Sequence, residues 1–61
     1  MNLVYGVIAE IRSERGQRLG KVRVGGVLKL VSLDLLTDPT PGAKVLICEG
    51  VALAKVEELV T

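Results

Sequence analysis

The chain has no histidine, tryptophan or phenylalanine, one tyrosine and one cysteine. Each shortage closes off a class of function. Without histidine there is no side chain that titrates unperturbed near neutral pH, and the commonest metal ligand is missing. A single cysteine, Cys48, excludes an internal disulfide, a CxxC redox pair and the Cys/His spacing of a structural zinc site. Neither GxxxxGK(S/T) nor GxGxxG occurs, so no phosphate-cradling loop is encoded. Ser13 and Ser32 have no base partner in sequence, and the adjacent carboxylates Glu57 and Glu58 read as a solvated face. Standalone catalysis is not expected.

Charge and aromatic content narrow the partners. Eight basic residues against seven acidic ones leave a net charge of +1, whereas polyanion binders carry a clear basic excess. Arg12, Arg15, Arg18, Lys21, Arg23 and Lys29 gather in the first half, where solvated strand faces account for them. Single-strand nucleic-acid binders stack bases on aromatic platforms, and Tyr5 alone does not make one. Nucleic-acid binding is therefore the weaker reading. No apolar run approaches the roughly 20 residues of a membrane span, and no basic segment precedes the N-terminal apolar residues as in a signal peptide. With an unpaired thiol, a reducing, cytoplasmic setting is expected, without membrane attachment.

What the chain has is aliphatic residues and turns. Apolar residues make up 49% of its 61 positions, so the core must be built chiefly from Val and Leu. A domain this small buries only about 60% of its unfolded surface, and a partner protein or a second copy is expected to add to that. Leu3 to Arg12 alternates as a strand, apolar on both faces in its first half and on one in its second. "SERG" (13–16) is a turn, and Arg18 to Val24 is a strand with Lys21 and Arg23 outward, Val22 and Val24 inward. Gly25-Gly26 is a two-residue hairpin signal, followed by a strand over Val27 to Leu33. "SLDLL" can carry one helical turn capped by Ser32 or Asp34, and "TDPTPG" is a loop. Ala43 to Cys48 and Val51 to Val56 complete the strands around a bend at Gly50, and "EELVT" can begin a helix. Five short strands with Gly/Pro turns predict an all-β fold, a small five-stranded OB-like β-barrel spanning residues 1–61 as a single domain.

Cys48 ends the strand "KVLIC", on the face of Leu46 and opposite Val45 and Ile47. It has two readings: a small buried hydrophobe, or a thiol that contacts a partner or a metal, which requires surroundings that favour the thiolate.

The order "GKVRVGGVLKLVSLDLL…PGAKVLICEGVALAKVEE" resembles the HypC/HupF family of nickel-iron hydrogenase maturation chaperones. The shared pattern is the "VGG" glycines, "VSLDLL", the "PG" turn, and "VLI-x-x-G-x-A-x-x-K-V-E-E". The resemblance implies an OB-like barrel followed by a C-terminal helix, of which little remains before Thr61, so that barrel surface is uncovered. It also implies a role without turnover: association with a HypD-like scaffold, passage of iron bearing cyanide and carbon monoxide, and escort of the hydrogenase large-subunit precursor. The family's N-terminal M-C-x-x-x-P is replaced here by "MNLVYG", with Asn2 at the cysteine position and no proline. The family's histidine within the later strand is replaced by Cys48. An amide oxygen is a hard, neutral donor, whereas low-valent iron prefers a soft thiolate. The resemblance therefore implies a partner-binding tip of Asn2, Leu3, Val4 and Tyr5 without the usual iron carriage. No cofactor is expected to be stably bound, and Cys48 is the candidate ligand for transient iron. Two alternatives stand beside this: a structural accessory subunit or oligomeric module of another complex, and a small metal carrier acting through Cys48.

Overall fold

The structure, a computed structural model, describes residues 2–56. The helix expected in residues 57–61, with the Glu57-Glu58 pair, lies outside the described residues. Five strands follow one another: β1 (Leu3–Glu14), β2 (Gln17–Val24), β3 (Val27–Ser32), β4 (Lys44–Cys48) and β5 (Val51–Lys55). They close into a barrel in the order β1-β2-β3-β5-β4. The expected all-β, OB-like barrel is what forms.

Closure depends on β1 serving two neighbours. Its first residues, Leu3 to Val7, pair antiparallel with β4, and Val7 to Glu14 pair antiparallel with β2. Val7 is matched on both sides, with Lys44 and with Arg23. A strand shared in this way must coil sharply, and Gly6 permits it. A Cβ at Gly6 would lie 2.5 Å from Val22 Cγ1 and 2.9 Å from Val24 Cγ2, both on stiff β-branched side chains. The register then shifts between Ile8 and Glu10. This bulge at Ala9 breaks simple alternation, so Ile8 and Ile11, three apart, both turn toward the core.

The core is aliphatic throughout. Ile8, Val22, Val31, Leu33, Leu36, Val45, Ile47 and Ala52 are buried, and no polar or charged side chain is buried with them among the described residues. Leu33 and Leu36 come from "SLDLL", which is a turn rather than the expected helical turn. One bond, from the Leu36 N–H to the Leu33 carbonyl at 3.1 Å, closes it. Asp34 caps no helix; its Oδ1 accepts the Arg18 N–H at 2.9 Å. Arg18 also donates from Nη2 to the Leu36 carbonyl at 2.7 Å. The arginine expected on a solvated strand face thus fastens the 33–36 turn over the barrel.

The hairpin turns explain the strand limits. Gly25 and Gly26 have φ of 56° and 86°, the paired positive values that match the twist of a two-residue hairpin. Arg15-Gly16 turns the same way, so β1 and β2 run to Glu14 and from Gln17, further into "SERG" than alternation indicated.

Replacing Gly6 with alanine is expected to destabilise the barrel by about 1–3 kcal/mol through overpacking against Val22 and Val24. Urea unfolding of Gly6→Ala beside the wild type measures it. Equal midpoints would show that β1 does not need the close approach.

Candidate functional site

The predicted tip and the cysteine come together in the folded chain. Antiparallel pairing of β1 with β4 makes Leu3 the direct neighbour of Cys48, Val4 of Ile47, and Tyr5 of Leu46. Direct partners point to the same face of a sheet. Leu3, Tyr5, Leu46 and Cys48 therefore share the outer face, and Val4 and Ile47 the inner one. Leu3 is 54% exposed and Tyr5 57% exposed, and Val7, next on this face, is 43% exposed. Cys48 is half-buried beside them and unpaired.

Alternation placed Leu3, Tyr5 and Val7 on one face but did not reveal which face meets water. Gly6 and Ile8 take the core side because β2 and β4 close around them. Among the described residues, Leu3, Tyr5 and Val7 thus form an exposed apolar strip on the outer face of β1.

Lys44 belongs to this face and has no signal in the sequence that marks it. Its Nζ lies 5.1 Å from the centroid of the Tyr5 ring. Such an exposed cation-π contact contributes about 0.5–1 kcal/mol, enough to bias the Tyr5 ring toward one orientation. It also sets a positive charge at the margin of the apolar strip.

Asn2 is exposed and lies on the other side. With Val4, Val24, Val31, Ile47 and Lys29 it lines an open cavity of about 260 Å³ at the barrel mouth, one that Cys48 does not line. Glu49 and Gly50 close its rim, held in a turn with φ of 50° and 81°. Asn2 and Cys48 thus lie in one region of the fold but not in one donor set. Among the described residues no three His, Cys, Asp or Glu side chains gather where they could hold a metal. No helix among the described residues is long and apolar enough to cross a membrane.

Comparison with known proteins adds one positive finding. The model of the HupF/HypC family matches residues 5–60. The matched stretch begins at Tyr5 and leaves Asn2, Leu3 and Val4 ahead of it. No curated protein and no solved structure matches the chain.

The register makes a direct prediction. A cysteine placed at Leu3 should form an intramolecular disulfide with Cys48 on mild oxidation, because directly paired strand residues lie within the Cα separation a disulfide spans. Val4→Cys, aimed at the opposite face, should not. Mass spectrometry of the oxidised variants separates these outcomes, and a bridge in Val4→Cys alone would mean the register is wrong.

Proposed function

The chain belongs to the HupF/HypC family of hydrogenase maturation chaperones, and we propose that it acts as a non-catalytic assembly chaperone in nickel-iron hydrogenase-type metallocentre maturation. In this reading the β1 tip, Asn2 to Tyr5, is the partner contact, and the partner is a HypD-like scaffold or the large-subunit precursor in the cytoplasm. The observation that carries the reading is the family match over residues 5–60. The uncovered Leu3, Tyr5 and Val7 strip supports the choice of surface.

The tip alone is not a complete interface. Covering the exposed halves of three apolar side chains contributes about 1 kcal/mol each, against an association cost of at least about 4 kcal/mol. The tip is an anchor, and further surface must join it.

Iron carriage in the family's usual manner does not suit this chain. Asn2 offers an amide where the resemblance calls for a thiolate, and a neutral oxygen is a poor ligand for low-valent iron. A second reading follows from the pairing of Leu3 with Cys48. The thiol stands at the tip on a neighbouring strand, so transient iron passes through Cys48, with the remaining ligands supplied by the partner.

Affinity capture with the tagged chain tests both. Leu3→Glu and Tyr5→Glu, at exposed positions, should leave the thermal melt unchanged and reduce recovery of the scaffold or precursor at least about tenfold, equal to roughly 1.4 kcal/mol. Undiminished capture by both variants would overturn the tip as the contact. Infrared spectra of the anaerobically purified complex address iron: carbon monoxide and cyanide bands that vanish in Cys48→Ala support carriage through the thiol, and bands unaffected by it exclude that route.

A further inference from the structure

The barrel is closed between β3 and β5 at a single point. Ser32 pairs with Val51 in parallel, and the Ser32 N–H donates to the Gly50 carbonyl at 2.9 Å. Residues 27–31 of β3 have β2 on one side and no strand on the other among the described residues.

The hairpin dictates which groups are left over. A two-residue turn at Gly25-Gly26 makes Val24 and Val27 a hydrogen-bonded pair, so Val27, Lys29 and Val31 direct their backbone groups to β2. Leu28 and Leu30 direct theirs away. The Ser32 bond to Gly50 confirms the parity, since even-numbered residues of β3 face away from β2. Leu28 and Leu30 are 50% and 58% exposed. This is an open strand edge, flanked on the inner face by the cavity of Val4, Val24, Val31 and Ile47. The outer face carries a second groove, lined by Arg12, Lys21, Leu28 and Leu30.

Charge selects the occupant. Residues 17–32 hold four of the eight basic residues, Arg18, Lys21, Arg23 and Lys29, and none of the seven acidic ones. Lys21 reaches Glu10 at 3.6 Å, with both side chains about half exposed, and so weak a pair can be exchanged for an incoming carboxylate. A second copy is disfavoured. The register that would pair Leu28 and Leu30 of both copies sets Lys29 directly opposite Lys29, and like charges in that relation repel.

We propose that the open edge of β3 is a docking site for an extended acidic segment of a partner protein, which joins the sheet as an added strand. Main-chain bonds to Leu28 and Leu30 supply affinity, the apolar mouth takes one set of alternate side chains, and Lys21 and Arg23, which pair with Leu30 and Leu28 on the outer face, select carboxylates in the other set. This goes beyond the hydrogenase reading and does not depend on it.

The test uses the full chain, labelled with nitrogen-15, and two end-blocked ten-residue peptides. One alternates valine with glutamate and the other valine with lysine. At millimolar concentration the glutamate peptide should slow amide exchange at Leu28 and Leu30 at least tenfold. Lys29 and Val31, already bonded to β2, should change little. Leu30→Pro removes an outward donor without touching a bond to β2 and should abolish the effect. Arg23→Glu, at an exposed outer-face position, should do so as well, and it carries the test if the proline variant does not fold. No slowing at Leu28 and Leu30, or equal slowing by the lysine peptide, overturns the proposal. Protection of these amides without peptide, accompanied by dimer in light scattering, would assign the edge to a second copy instead.

Discussion

Everything in this barrel hangs on the double use of β1. Val7 is matched with β4 on one side and β2 on the other, and Gly6 beside it leaves room for the strand to coil against Val22 and Val24. Once β1 is divided, β4 must run back along its first residues. That return sets Cys48 next to Leu3, although 45 positions separate them in the chain. The placement of the only thiol beside the tip is a consequence of barrel closure, not of any local motif.

The same economy explains the surface. The eight buried hydrophobic side chains among the described residues are all aliphatic, and the one aromatic is outside them, under Lys44. A core this small cannot also cover the outer faces of β1 and β3. Leu3, Tyr5 and Val7 on one strand, and Leu28 and Leu30 on the other, stay exposed. The surface ion pairs, Arg12 with Glu14 at 3.9 Å and Lys21 with Glu10 at 3.6 Å, are exposed and add at most about 1 kcal/mol each. Arg18, which bridges β2 to Asp34 and Leu36, contributes more to order because it fixes the turn that carries Leu33 and Leu36 into the core. Two strands, β1 and β3, thus carry exposed apolar side chains.

Much of this is legible from residues alone. Alternation over Leu3 to Ile8, the Gly25-Gly26 turn, and the aliphatic "KVLIC" place the strands, because strand periodicity is a local property. The bulge at Ala9 is not legible, since nothing in "VIAEI" says that Ile8 and Ile11 will share a side. Nor are the roles of Arg18 and Lys44, which depend on loops and strands distant in sequence. For "SLDLL", local capping chemistry suggested a helix, while burial of Leu33 and Leu36 and the Asp34 bond to Arg18 produced a turn. At the site, the family resemblance pointed to the tip and to Cys48 separately. Only the β1-β4 register shows that they are neighbours, while Asn2 faces the cavity instead.

The central claim is that the tip beside Cys48 is the surface a partner covers. Cys48 is the sole thiol of the chain and half-buried, so its alkylation reports on this one place. The direct measurement is the rate of iodoacetamide modification of Cys48 in the free chain and in its complex with the hydrogenase large-subunit precursor. The account predicts that the rate in the complex falls at least tenfold. A complex that forms stably while Cys48 reacts at the rate of the free chain would contradict it.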